Sequence, residues 1–335
     1  MAGTRFTRDQ LTLVALKNMP IVLLVTVFVA FSLLDHRFFD AQTLVNIARQ
    51  ASYVGILAVG MTFVLLTAGI DLSVGAVAYL SAVLVSELLK ETPLPLFALP
   101  VLMAGIGLLA GLVNGALISF ARITPFIVTL AAMGLYRGYA LGESQSREAN
   151  FPAGITDLGN LGIFGVPLPI VIFALVVIVA QVVLSKTAYG RQLYAVGQDP
   201  EAATRAGIPT RRIIVSVYVI GGVLAGLAAF VSVIQMGTIV PSFGTGDEFD
   251  AIAAAVLGGA SLFGGRGTVF PGTVAGTLLV QMIAVGMVFT QVDLYLTPMI
   301  SAAVIFAAVL LDTARTRQLA KISKRSIRVE IPVPV

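Results

Sequence analysis

Nine apolar runs, each close to the length of a membrane-crossing helix, dominate this sequence. They lie near residues 19–35, 51–68, 72–89, 96–120, 124–142, 168–185, 213–235, 268–290 and 294–311. A helix needs about 20 such residues to cross the hydrocarbon core. Within lipid, only helices and closed barrels satisfy every backbone polar group. A further run, Ala251 to Phe263, has 13 residues and is too short to cross untilted. The fold predicted is therefore all-α and polytopic, with about ten transmembrane helices, some of them short or broken. Composition points the same way. Hydrophobic residues make up 58% and charged residues 11%, whereas soluble domains carry about 25% charge. So few polar groups could not cover a soluble surface, and the apolar excess must face lipid.

Charge placement predicts the topology. Arg5, Arg8 and Lys17 precede the first run, and Arg315, Arg317, Lys321, Lys324, Arg325 and Arg328 follow the last. Positive flanks stay in the cytoplasm, which puts both termini inside and makes the number of spans even. Beside membrane spans such a tail is a topology signal, and nucleic acid is not expected as a partner. No small-residue cleavage site follows Leu34, so the first run is read as a retained span. Residues 1–18 are then a cytoplasmic segment, 19–312 the transmembrane domain and 313–335 a cytoplasmic basic tail. Walking the spans from inside makes 143–166 a periplasmic loop, 186–212 a cytoplasmic loop and 236–250 an external one. Arg122 and Arg266 fall inside.

Two glycine-containing stretches interrupt the helical pattern, Ala68 to Gly75 and Leu257 to Gly267. In the first, Asp71 is placed to accept from the free N–H groups of the next helix. In the second, Gly258, Gly259, Gly264 and Gly265 relax the backbone. Interrupted helices inside membranes line cavities or are wrapped in protein, and transporters use them so. Close packing of helices through glycine is the alternative reading. The two stretches occupy similar places in the two halves, as in a weak internal repeat.

The chain has no cysteine and a single histidine, His36, which excludes disulfides, thiolate metal sites and multi-histidine clusters. Its acids sit almost all at run ends or in loops, so no catalytic residue is assigned and proton coupling is disfavoured. Arg137 and Glu87 are expected to snorkel to an interface. Within the runs the polar residues are neutral, among them Asn114, Gln181, Gln235 and Gln281. Neutral hydrogen-bonding groups suit an uncharged polyhydroxyl solute, although for any single one helix-to-helix bonding is the better explanation. No GxxxxGK[ST] loop occurs, so the chain cannot hydrolyse ATP alone.

The loop at 186–212 encodes a short capped helix. Asp199 fits the N-cap, Pro200 the first helical position and Glu201 the positive end of the helix dipole. Gly207 and Pro209 then stop it. About seven residues give a helix roughly 10 Å long, held on the cytoplasmic side by Arg205, Arg211 and Arg212.

Glu201-Ala202-Ala203-x-x-x-Gly207 resembles the EAA motif of ABC importer permeases. The chain as a whole resembles their ribose/xylose/galactose sugar-permease class over about residues 45–312. The matching stretches are Gly60 to Thr62 with Ala68 to Gly75, Gly111 to Gly115 with Ile123 to Leu130, Gly190 to Ile208, and Asp250 to Gly267. It departs from that class at Ala68, where a second glycine is common, and at Phe270-Pro271-Gly272. The resemblance implies a multi-pass permease of a bacterial cytoplasmic (inner) membrane that moves a pentose or hexose. Implied partners are a second permease copy, a periplasmic sugar-binding protein and a cytoplasmic ABC ATPase that holds ATP and Mg. No cofactor is expected on this chain. Asp199, Pro200, Glu201, Ala202, Ala203, Arg205, Gly207, Arg211 and Arg212 would form the ATPase-coupling element. Asp71, Ser73, Asn114, Gln235, Gln281, Gly258, Gly259, Gly264 and Gly265 would shape the pathway or its gate. An ATPase-independent transporter or facilitator is the alternative.

Overall fold

The computed structural model describes residues 19–92 and 94–296, with 299–300, 302–303, 306–307 and 310. Both basic termini and part of the run 294–311 lie outside the described residues. The chain folds as a bundle of helices. The first four long ones are α1 Met19–Leu34, α2 Ala41–Leu66, α3 Val74–Glu91 and α4 Ala98–Ser119. Then follow α5 Pro125–Glu143, α6 Ile155–Asn160, α7 Leu168–Lys186, α8 Ala188–Gln198, α9 Pro200–Arg205, α10 Thr210–Met236, α11 Asp247–Leu257 and α12 Val274–Phe289. A widened turn, Val269–Thr273, leads into α12. By length and composition five of these segments can cross a membrane: α2, α4, α7, α10 and Val269–Phe289. The chain is thus an all-α, multi-pass membrane protein.

Two helices form the centre. α10 packs along α4 and α2 and touches α3. The approach of α4 to α10 depends on glycine. A Cβ on Gly107 would collide with the Gly222 carbonyl, one on Gly111 with the Tyr218 carbonyl, and one on Gly226 with the Met103 carbonyl. With hydrogen in place of a methyl group the backbones come into van der Waals contact, the usual device of helix pairs in lipid. α7 lies at the edge, with only 28% of its apolar window buried against 83% for α2.

Several boundaries differ from the sequence reading. α2 starts at Ala41, ten residues before the apolar run, through Gln42, Asn46, Arg49 and Gln50. Two of these groups have tertiary partners: Arg49 Nη2 donates to Asn160 Oδ1 at 3.0 Å, and Gln281 Nε2 to Gln50 Oε1 at 3.0 Å, while Gln42 Nε2 donates to Asn46 Oδ1 at 3.4 Å along α2 itself. The loop at 186–212 contains a second helix, α8, whose N-cap Thr187 accepts from the Gly190 N–H. The stretch 236–250 is not simply a loop. α11 begins at Asp247, and Glu248 is buried in its first turn. The segment between α5 and α7 holds β1 (Ala149–Asn150), α6 and a hairpin of β2 (Gly162–Ile163) and β3 (Val166–Pro167), and β4 (Thr238–Ile239) follows α10. β1 pairs with β4 and β2 with β3, both antiparallel.

Candidate coupling and gating site

Local capping builds α9. Asp199 Oδ1 accepts from the N–H groups of Glu201 at 3.0 Å and Ala202 at 2.9 Å, covering two donors that the helix cannot satisfy itself. Pro200 occupies the position where a missing N–H costs nothing. At the other end Gly207 takes φ +81°, and the Ile208 N–H returns to the Ala203 carbonyl at 3.0 Å. A left-handed residue in that place suits glycine. Ala203 is the one buried residue of the helix. Glu201, Ala202, Arg205, Gly207, Arg211 and Arg212 are all exposed. The Glu201–Arg205 pair, 3.9 Å apart and open to solvent, contributes little to stability. What remains is a rigid, mixed-charge face standing out from the bundle.

α8 ends directly beneath this element, at a joint between the two interrupted helices. The Gly265 N–H donates to the Leu66 carbonyl at 2.9 Å, linking the second break to the end of α2. Gly197 lies against both: a Cβ there would collide with the Leu66 carbonyl and stand 2.6 Å from Gly265 N. A Cβ on Gly264 would stand 2.6 Å from the Gly197 carbonyl. Tyr194 Oη donates to the Gly267 carbonyl at 2.7 Å, tying α8 to the far side of the glycine stretch. Gly258 acts one turn deeper, where a Cβ would stand 2.6 Å from the Gly272 backbone. Gly259 turns the chain out of α11 with φ +93°.

Asp71, Ser73 and Asn114 come together as one buried chain. Asp71 Oδ1 accepts from Ser73 N at 2.8 Å and from Ser73 Oγ at 2.6 Å. Asn114 Nδ2 donates to Ser73 Oγ at 2.8 Å, and Tyr136 Oη donates to Asn114 Oδ1 at 3.1 Å. The expected cap is corrected here. Ser73 is the N-cap of α3, and Asp71 binds that residue instead of the first helical turn. α3, α4 and α5 are thereby pinned to the first break. The Tyr218 hydroxyl, buried beside Gly69, has no hydrogen-bond partner among the described residues.

Gln235 and Gln281 lie elsewhere. Gln235 Nε2 donates to the Val231 carbonyl of its own helix, at the end of α10. Gln281 pairs with Gln50 beside a cavity of about 420 Å³ between α2 and α12. Gln181, near the end of α7, accepts from the Phe270 N–H at 2.9 Å.

A second cluster was not foreseen from sequence. Arg137 has acceptors within the protein. Its guanidinium donates to the carbonyls of Pro241 at 3.2 Å and Phe243 at 2.9 Å, and lies over the Tyr79 ring. Tyr53 Oη donates to Asp247 Oδ2 at 2.6 Å. A Cβ on Gly75 would collide with the Gly244 carbonyl. The strap between α10 and α11 is therefore clasped by α2, α3 and α5. The available signal was Arg137 within an otherwise apolar helix, since an ionisable group there requires an internal partner.

Residues 43–309 match the family described as branched-chain amino acid transport system / permease component. The chain is 36% identical to the ribose import permease protein of Bacillus subtilis (strain 168), over 89% of this chain and 92% of that one. It is 35% identical to the fructose import permease protein of Rhizobium meliloti, over 88% and 84% of the two chains. To the D-allose transport system permease protein of Escherichia coli (strain K12) it is 32% identical, over 87% and 89%. No solved structure matches the chain. With membrane-length helices, two converging breaks and relatives of this kind over most of its length, the chain belongs to the sugar-permease family of ABC transporters.

Proposed function

We propose that this chain is the membrane-spanning subunit of an ATP-driven importer for a monosaccharide of the pentose or hexose class. The observation that carries the reading is the position of α9. The exposed, capped helix follows Gly197 immediately, and Gly197 sits in the joint between the two interrupted helices. A push on α9 has a short, stiff route to both breaks at once. The identities of the relatives as ribose, fructose and allose permeases support the solute class.

In this reading the protein has about ten spans with both termini in the cytoplasm, in the inner membrane of a bacterium. The segment 143–166 faces the periplasm and 186–212 the cytoplasm. Two permease copies enclose one pathway, a periplasmic binding protein delivers the sugar, and a cytoplasmic ATPase holds ATP and Mg. No cofactor is bound by this chain. Glu201 to Gly207 make the coupling contacts, flanked by Arg211 and Arg212. Asp71, Ser73 and Asn114 hold the first break in shape, and Gly258 to Gly267 allow the second to bend.

The test is to purify the chain co-expressed with its ATPase and binding protein, and to measure ATP hydrolysis in lipid against a panel of sugars. Hydrolysis that rises with one sugar-loaded binding protein, and loses that response in Glu201→Ala and Gly207→Asp, is the expected result. Failure to form a complex, with sugar flux through the chain alone in liposomes, would replace the reading by a facilitator.

A further inference from the structure

The β2–β3 hairpin turns through Phe164 and Gly165, with φ of 53° and 80°. A two-residue turn with positive φ at both positions is the type I′ form, which Asn, Asp and Gly fit best. Gly165 suits it. Phe164 does not, because a bulky side chain in the left-handed region is strained. Strain of this kind persists where something else makes use of the side chain. Nothing within the described chain covers the Phe164 ring, which is fully exposed at 102%. Leu161, Ile163 and Val166 around it are exposed as well.

The surroundings specify the occupant. No charged residue occurs between Asp157 and Lys186, so the hairpin and α7 form one uncharged stretch. Both strands pack on the start of α7, and the Leu168 N–H donates to the Leu161 carbonyl at 3.0 Å. α7 is the least buried of the membrane-length helices, with Leu175, Ile178, Val179 and Val182 turned outward. The hairpin therefore stands at the lipid-facing rim, a few residues from where a span begins. It is not close to the joint around Gly197. Exposed Phe and Leu beside a span bury themselves at the boundary between headgroups and acyl chains, and this chain has no Trp to form an aromatic belt there.

We propose that the Phe164 hairpin is an interfacial anchor, its ring and the adjacent Leu161, Ile163 and Val166 seated in the headgroup–acyl boundary of the bilayer beside α7. The bilayer contact offsets the strained turn and fixes the height of α7 in the membrane.

The absence of Trp makes the test clean. The full chain carrying Phe164→Trp is placed in nanodiscs of phosphatidylcholine, and its only Trp is challenged with acyl chains brominated near the headgroup and with aqueous iodide. Expected are a blue-shifted emission, loss of most of the intensity to brominated lipid and little loss to iodide. Glu148→Trp, exposed in the same inter-helix segment, should show the reverse. Leu161→Trp is a second reporter should the turn variant fold poorly, with the same two-way readout. Quenching of both hairpin reporters by iodide alone would put the hairpin in water and overturn the proposal. Protection from both quenchers would put it against protein and overturn it equally.

Discussion

The backbone N–H of Gly265 donates to the carbonyl of Leu66 across 2.9 Å, so the interruptions in the two halves of the chain meet in a single hydrogen bond. Gly197 closes over that bond, and only hydrogen fits at its α-carbon. Substituting alanine there forces backbone apart at the joint. Overpacking of a tight site costs about 1–3 kcal/mol. Gly197→Ala should lower the melting temperature of the purified protein and uncouple ATP hydrolysis from sugar in the assembled importer. A variant with unchanged thermal stability and unchanged coupling would show that the joint tolerates separation.

Asp199→Ala removes the acceptor for two backbone N–H groups at the start of α9. Loss of an N-cap costs about 1 kcal/mol, and here it falls on an exposed helix with one buried residue. The melting temperature should hardly move, while ATPase stimulation falls. Asp199→Asn keeps an acceptor and should restore most of it. Equal defects in both variants would place the effect in the charge and not in the cap.

Arg137→Met leaves the Pro241 and Phe243 carbonyls without their donor. Leaving a fully buried polar group unpaired costs about 1–3 kcal/mol, and these half-buried carbonyls lose less. Faster amide exchange is expected over residues 240–250, with α9 unaffected. Exchange that rises throughout the bundle would mean that Arg137 supports the whole fold.

Ala68 has φ 57°, a conformation that costs a residue with a β-carbon about 1–2 kcal/mol. Ala68→Gly relieves this, and its larger loss of chain entropy offsets part of the gain. A rise of a few degrees in melting temperature is the expected outcome. A fall would show that the Ala68 methyl, which stands 3.0 Å from where a Cβ on Gly264 would lie, contributes more by packing than it costs in backbone strain.

The carboxylate of Asp35, bonded to Arg37 at 2.6 Å, titrates at about 2 in place of 3.8. The hydrogen bond from the Arg37 side chain is the chief cause, followed by its backbone N–H. A depressed carboxylate adds stability above its unfolded value and loses it as pH falls through the folded one. The turn His36–Phe39 should therefore hold at neutral pH and loosen between about 4 and about 2. In Asp35→Asn that step should vanish from a pH titration of local exchange. A step that persists in the variant would belong to another group.

What sequence could show was what local chemistry decides. Asp199-Pro200-Glu201 and Gly207 specify α9 within a few residues of each other, and they form the helix their types demand. The glycines at 258–267 mark an interruption for the same reason. Gln42, Asn46, Arg49 and Gln50 concealed the first turns of α2, because hydropathy registers neither the Gln42–Asn46 bond along the helix nor the partners that Asn160 and Gln281 supply to Arg49 and Gln50. The acceptors of Arg137 were hidden in the same way, lying some hundred residues away in the Pro241–Phe243 strap. Nothing in its local sequence shows why Gly197 has to be glycine. It stands in an amphipathic helix next to a charged loop, and only the arrival of Leu66 and Gly265 makes its missing side chain necessary.

The carbonyls of α10 and α4 rest in each other's glycine notches over several turns. Such a pair cannot creep. To slide, every carbonyl must leave its notch together and drop into the next, a step of about one helical pitch, roughly 5.4 Å. Between those settings α4 and α10 form a single beam, and a shape change smaller than that step has to be taken up by whatever is hinged to it.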